Sequence, residues 1–266
     1  MIINNQPTPK IKRKKIAVCA KDFTCKDPNF AVRFIEWIHW MKLLGAEKIY
    51  FSYKYLHPKI FTAVEYFEKH GVVEAWPFHE PSGIKNEPRT GKQWWLIEEN
   101  ILNDCFYRVR NLYEYVVILD FDEVLMPLNA NDYNWNDIIK RVNGSAYDTL
   151  RNMVYLVAKN ETGADGIPEN LYTLRNFQYY TLLRGPGKSI FKTENQLIVN
   201  NHLSVACLGK NCEVLIVPPN ESKVFHYRDD VSDRENSESK KLKELYKFKD
   251  VLIKKFSKTL KALKLR

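Results

Sequence analysis

The sequence predicts an α/β fold with a mainly parallel central sheet, flanking helices and a basic C-terminal helix. Three observations carry that prediction. Short apolar runs alternate with helical periodicity three times in the first half of the chain. A fourth run, Tyr115-Val-Val-Ile-Leu119, ends abruptly in Asp120-Phe-Asp-Glu123, as a strand buried on both faces does when it leaves the sheet. From Ser237 onward, Leu242, Leu245, Leu252, Phe256, Leu260 and Leu263 form an apolar stripe among lysines.

Taken in order, residues 1–15 read as a basic flexible arm and residues 16–230 as the folded body. Ile16–Ala20 is a strand. Asn29–Leu44 is a helix, because Phe30, Phe34, Trp37, Met41 and Leu44 recur at helical spacing and Gly45 follows them. Ile49–Tyr53 is a second strand. Pro58 opens a helix at its first turn, and Gly71 ends it. Val72–Trp76 is a third strand, His79–Lys92 a polar loop and Gln93–Val109 a further helix. Beyond Pro127 the pattern predicts a short helix at Trp135–Val142 and strands at Thr149–Val157, Leu171–Leu182, Gln196–Val199 and Val214–Val217. Residues 231–266 form the basic amphipathic helix, which predicts either peripheral contact with an anionic membrane or packing on the body with a solvated lysine face.

Composition narrows the function. Hydrophobic residues make up 45% of the 266, which suits a globular core, and no apolar run is long enough to span a bilayer. The net charge of +9 is concentrated at the two ends and leaves the body slightly acidic, which argues against a nucleic-acid substrate. Five cysteines without Cys-x-x-Cys spacing argue against zinc; Cys207 and Cys212 are placed to close a small loop in an oxidising compartment, a pairing that spacing alone leaves open. Sequons begin at Asn143, Asn160 and Asn220, close to chance in an Asn-rich chain.

If the chain stays extended after Leu119, Asp120 and Asp122 point to one side at the carboxyl edge of the sheet, where ligands of parallel sheets bind. The simplest alternative is a turn whose aspartates cap backbone groups. An apolar strand followed by Asp-x-Asp has two catalytic uses. In a haloacid-dehalogenase-like phosphatase Asp120 is the nucleophile and Asp122 the acid or base. That motif belongs on the opening strand of its domain, which this one is not. In a nucleotide-sugar glycosyltransferase of the GT-A fold the pair holds a divalent cation against the departing diphosphate. Lys188 and Arg228, later in the chain, are placed to share that neutralisation, and His226 is a candidate third metal ligand.

From about Lys15 to Arg228 the chain resembles glycosyltransferase family 92. The resemblance rests on Ile16-Ala-Val-Cys-Ala-Lys21, Phe34-Ile-Glu-Trp37 with Leu44-Gly45, Gly71-Val-Val-Glu74 with Trp76, and Gln93. It continues through Asn103-Asp-Cys-Phe-Tyr-Arg108, Asp120-Phe-Asp-Glu123 with Pro127, Lys188-Ser-Ile190 and His226-Tyr-Arg228. It implies a GT-A fold and an inverting transfer of a hexose, often galactose, from a UDP-sugar to a glycan hydroxyl, with Mn²⁺ or Mg²⁺. By position, Asp120, Asp122 and His226 would be metal ligands. Lys21, Asp104, Lys188 and Arg228 would be donor contacts, with Asp104 and Arg108 equally suited to tying a helix to the cleft. An inverting transfer needs a base on the acceptor hydroxyl. Of Asp165, Glu169 and Glu194, Asp165 in a glycine-flanked loop is the choice. Gly163-Ala-Asp-Gly166 departs from the Gly-Ser-Ser-Gly-like loop of the family, which bears on acceptor preference. A catalytically inactive glycan-binding relative is the remaining alternative. With no anchor in the sequence, a full-length chain would be cytoplasmic and peripheral to a membrane, meeting a lipid-linked acceptor. A truncated eukaryotic member would belong in the Golgi lumen.

Overall fold

The computed structural model of the protein describes residues 13–79, 91–152, 155–159, 166–176, 178–182, 187–209, 211–227, 240–241 and 243–265. The first half comprises β1 (Lys14–Ala20), β2 (Phe23–Cys25), α1 (Phe30–Leu43), β3 (Lys48–Leu56), α2 (Pro58–Lys69), β4 (Val73–Pro77), α3 (Gly91–Val109) and β5 (Tyr113–Leu119). The second half contains β6 (Glu123–Pro127), α4 (Trp135–Arg141), β7 (Thr149–Asn152), β8 (Tyr155–Lys159), α5 (Tyr172–Arg175) and β9 (Gln178–Leu182). It continues with β10 (Lys188–Lys192), β11 (Gln196–Val199), β12 (Ser204–Cys207), β13 (Val214–Ile216), β14 (Ser222–His226), β15 (Lys240–Lys241) and α6 (Lys249–Leu263).

The main sheet runs β13-β7-β10-β5-β1-β3-β2, with β4 also paired to β3. Strands β1 to β5 are mutually parallel where they pair, with Val18 opposite both Ile49 and Val117. This is the parallel arrangement that the alternating first half predicts. β10 enters antiparallel beside β5, with Ile190 opposite Val117, so Lys188 at its start lies by the carboxyl end of β5. A second sheet, β15-β9-β8-β14-β6, pairs β6 antiparallel with β14 and sets His226 opposite Glu123.

Period-two alternation divides β1 between two cores. Ile16, Val18 and Ala20 face α1, α2 and α6, whereas Ala17 and Cys19 face α3. All five are fully buried, which explains why this strand reads as an unbroken apolar run. α1 ends before Gly45, whose φ of +104° is a left-handed conformation that glycine adopts without a Cβ penalty.

Several expectations are corrected here. The strand expected over Thr149–Val157 is two strands, β7 and β8, in different sheets. The segment Leu171–Leu182 contains the short helix α5 before β9. Among the described residues of the C-terminal segment, β15 and a 3-10 turn, Lys243–Phe248, precede the α-helix, which starts at Lys249. Of the two alternatives for its stripe, packing on the body is observed: Leu252, Phe256 and Leu260 are buried in the main core against α1. Trp40 and Phe248 meet edge to face at 5.4 Å, and His39 Nε2 lies 2.9 Å from Thr259 Oγ1. Burial, with the charge of Lys255, pushes His39 down to about 4, so the ring is neutral in this contact. Among the described residues no helix is long and apolar enough to cross a membrane.

Two disulfides are present. Cys207–Cys212 closes the small loop that the sequence left open. Cys19–Cys105 joins β1 to α3 across 86 residues, while Cys25 is free. Closing a loop of that size restricts the unfolded chain by roughly 4–5 kcal/mol in the chain-entropy description. The Cys19→Ala/Cys105→Ala variant is therefore expected to lose roughly 3–5 kcal/mol. Urea unfolding of both proteins, with and without reductant, checks this, and matching midpoints in oxidising buffer would refute it.

Candidate active site at the ends of β1 and β5

β5 delivers Asp120 to the carboxyl edge of the sheet, but the chain does not continue extended. Glu123 N donates to Asp120 O at 3.1 Å, so residues 120–123 form a tight turn into β6. The reason lies in the residue between the two acids. The Phe121 ring is stacked on Phe23 at 4.2 Å and packs against Trp37 at 4.7 Å and Phe51 at 5.2 Å. Trp37 Nε1 also donates to Glu123 O at 2.9 Å. With Phe121 drawn into the core, Asp120 and Asp122 take different partners, so the expectation that both point to one side is corrected.

Asp120 belongs to a buried ionic cluster. Lys188 Nζ lies 3.2 Å from Asp120 Oδ2 and 2.8 Å from Glu123 Oε2, and also donates to Asn201 Oδ1. An ammonium has three protons, so these three acceptors use all of them. Lys188 and Glu123 are both fully buried. Glu123 Oε2 further accepts from Asp120 N at 2.9 Å. Burial and the neighbouring Asp120 charge push Glu123 upward, against the pull of Lys188. Burial would likewise raise Asp120, but the Lys188 and Lys21 charges outweigh it and hold that carboxyl below its usual value. Glu123, which has no basic neighbour in sequence, finds one 65 residues later.

Lys21 follows β1 directly. It pairs with Glu98 on α3 at 2.7 Å, and its side chain is 40% exposed beside Asp120. His202, whose Nδ1 contacts Gly187 O at 2.8 Å, closes the same side of the cluster, and burial lowers its pKa. On the other side of Phe121, Asp122 Oδ2 is 2.9 Å from His226 Nε2, and Tyr227 N donates to Asp122 O at 2.8 Å. The antiparallel pairing of β6 and β14 fixes this arrangement.

The sequence-derived candidates therefore divide. Lys21, Asp120 and Lys188 come together, and Asp122 meets His226. Asp104 pairs with its helix neighbour Arg108 at 2.9 Å, with that guanidinium 4.5 Å from the Trp76 ring, so its observed partner is structural. Asp165 and Arg228 lie outside the described residues. Glu169 and Glu194 are exposed. Among the described residues no group of three or more His, Cys, Asp and Glu is arranged to hold a metal ion.

Sequence reasoning passed over Glu98, Asn201 and Glu36. Glu36 on α1 is buried, and its carboxylate accepts from Tyr172 N at 2.8 Å, Thr173 N at 2.9 Å and Thr173 Oγ1, thereby seating the first turn of α5. The signal was an acid among Phe34, Ile35 and Trp37 on the apolar face of a helix. Burial pushes Glu36 up to about 7, against these hydrogen bonds.

The sequence profile of glycosyltransferase family 92 matches residues 14–263. No curated protein matches the chain. Among solved structures, the chain is similar to S. aureus TarS 1–349, with a TM-score of 0.43, 14% identity, and coverage of 93% of this chain and 72% of that one. It is similar to the same protein in complex with UDP at a TM-score of 0.38 and 12% identity, covering 67% of this chain and 47% of that one. The apo structure of the WbbM bifunctional glycosyltransferase has a TM-score of 0.31 and 12% identity, with coverage of 70% of this chain and 33% of that one. This chain thus spans about half of the UDP-bound TarS chain and a third of WbbM.

Two stability predictions follow from the buried charges. Lys188→Met leaves Asp120 and Glu123 uncompensated and is expected to cost about 3–5 kcal/mol, and adding Glu123→Gln restores part of that loss. Denaturant unfolding of the four proteins in this cycle checks it, and strictly additive effects would contradict the shared ion cluster. Glu36 has its folded pKa raised above the ordinary 4.5. Its stabilisation is therefore complete below about 4.5 and is lost as pH rises to about 7, a change of roughly 3 kcal/mol. The stability of the native protein minus that of Glu36→Gln should fall across that window. The comparison isolates Glu36 from His39, whose lowered pKa acts with the opposite sign.

Proposed function

The chain belongs to glycosyltransferase family 92, and we propose that it moves a hexose, galactose in the first instance, from a UDP-sugar to a glycan hydroxyl with inversion. The observation that carries this reading is the pairing of two acidic side chains with two basic partners on either side of one turn, at the carboxyl edge of a parallel sheet. Lys21 is the exposed cation available to the donor diphosphate. Lys188 acts one step back: it has no free proton for a phosphate, and it holds Asp120 ionised and fixed. Arg228, next to Tyr227, is retained as a donor contact, and Asp165 as the base on the acceptor hydroxyl.

As a pair, Asp122 and His226 suit a divalent ion. Asp120 Oδ1 is buried without a hydrogen-bond partner. Asp122 Oδ2 and His226 Nε2 are 2.9 Å apart and partly accessible, so one carboxylate and one imidazole are presented together. Carboxylate and imidazole both suit a manganese-like ion. Asp122 and His226 would hold it, and Asp120, which lies across Phe121 from that pair, would join as a third ligand on a rearrangement of the turn. When bound, the ion supplies Lewis-acid neutralisation of the leaving diphosphate. The phosphatase alternative loses its support, since the family is one of glycosyltransferases and Asp120 Oδ2, its nucleophile, is engaged by a buried ammonium. The two disulfides favour an oxidising compartment, and hence a lumenal setting over a cytoplasmic one.

A thermal-shift panel of UDP-hexoses with and without Mn²⁺ tests donor and metal together, and a metal-dependent shift with UDP-hexoses is expected. Asp122→Ala should remain folded and lose at least a hundredfold in sugar transfer, on the order of what a single group that stabilises transition-state charge is worth. Full transfer by that variant, or by the native protein in EDTA, would sink the metal mechanism.

A further inference from the structure

Asn143-Gly-Ser145, one of the three sequons, lies in a turn that the proposed reaction does not use. α4 ends at Arg141 with Val142 as its cap, and Asn143 follows at φ 50° and ψ 40°. Asparagine and glycine best tolerate this left-handed position after a helix, so the fold accounts for Asn143. Its side chain is exposed and makes no capping hydrogen bond. The fold gives no such account of Ser145. Its carbonyl accepts from Lys192 Nζ at 2.9 Å, but its side chain is exposed and has no hydrogen bond among the described residues. Asn220-Glu-Ser222 is the contrast: Ser222 is buried in β14 and its hydroxyl donates to Asn152 Oδ1, so packing explains that serine. Asn160 lies outside the described residues.

The turn opens on a polar cleft of ≈ 530 Å³, a volume within the roughly 300–1,000 Å³ of small-molecule sites. Glu114, Asn134 and Lys140 line it together with Asn143 and Ser145. This cleft is at the opposite end of β5 from the acidic turn. Glu114 is the second residue of that strand, and Asp120 follows its last residue, Leu119. At about 3.3 Å per residue, the extended strand sets the two acids about 20 Å apart. A group attached at Asn143 therefore meets solvent and the cleft, and stays clear of the catalytic edge. One exposed turn thus presents an amide and a hydroxyl at the Asn-x-Ser spacing, with open space beside the amide.

Resting on the lumenal setting proposed above, we infer that Asn143 carries an N-linked glycan. The donor is an oligosaccharide carried on a lipid diphosphate. Asn143 Nδ2 forms a bond to the anomeric carbon of that oligosaccharide. The bond from the same carbon to the diphosphate oxygen breaks, its electron pair leaves on the diphosphate, and one amide proton passes to a base of the modifying enzyme. The Ser145 hydroxyl is the group by which that enzyme recognises the turn. The innermost sugar projects into the cleft and the remainder into solvent.

The test uses the full chain purified from its own cells. Treatment with peptide N-glycosidase in heavy-oxygen water leaves a labelled aspartate wherever a glycan is removed, and peptide mass spectrometry locates it. Thiol alkylation without reductant reads the disulfides of the same sample. A labelled peptide covering position 143 is expected. Ser145→Ala, which leaves Asn143 and its turn in place, should lose that label completely, and Ser145→Thr should keep it. The UDP-induced thermal shift should be equal in native and Ser145→Ala protein, and a difference overturns the placement of the glycan away from the site. An unlabelled position 143 in chains whose disulfides are formed overturns the inference and leaves the lumenal reading standing. The same result with reduced cysteines overturns both. A label that survives in Ser145→Ala overturns the sequon as its cause.

Discussion

A single buried ammonium sets the geometry of this site. Lys188 sits between Asp120 on the β5 edge, Glu123 at the start of β6 and Asn201 in the loop after β11. It thereby ties the main sheet to the second sheet and to the β11–β12 ribbon. Two carboxylates this close would repel one another and resist burial without a cation between them. With it, the turn can place one acid inside and leave the next partly exposed. Dedicated internal charge of this kind is a modest source of net stability, because desolvation offsets much of the attraction. Its effect is on arrangement: it specifies which oxygen of Asp120 is engaged and which is left over.

Phe121 supplies the complementary apolar constraint. Its ring belongs to the cluster formed by Phe23, Phe34, Trp37 and Phe51, which joins β2 and β3 to α1. Anchored there, the turn separates a side carrying Lys21, Glu98 and His202 from a side carrying His226, Arg33 and Tyr227. The Cys19–Cys105 bond lies behind the first side, holding α3, and with it Glu98, to the strand that ends in Lys21.

The first half of the fold was legible because its strands are long, apolar and separated by helices with clear stops. The second half was not. β10 begins with a lysine that is buried only because two acids from elsewhere surround it, and no local pattern announces that. β6 was hidden inside the tail of the acidic motif, and no strand was expected at β14; they pair with each other across a hundred residues. The turn at Asp120 depended on where the Phe121 ring would go, which is a tertiary decision. The acids, Lys21, Lys188 and His226 were each identifiable as residues of interest. What sequence left open was their partners, and partners decide whether a lysine meets a phosphate or a carboxylate. Five cysteines concealed a pair 86 residues apart for the same reason.

The seat of α6 on α1 has a consequence for how the molecule is made. Trp40, His39 and their neighbours on α1 are synthesised early, yet part of the surface that covers them arrives only with residues 245–260. During translation this apolar face waits through some two hundred residues, at a usual elongation rate of 5–20 residues per second for on the order of ten seconds or more. Over that interval it is the natural place for a chaperone to hold the nascent chain, and the place where two unfinished chains would meet.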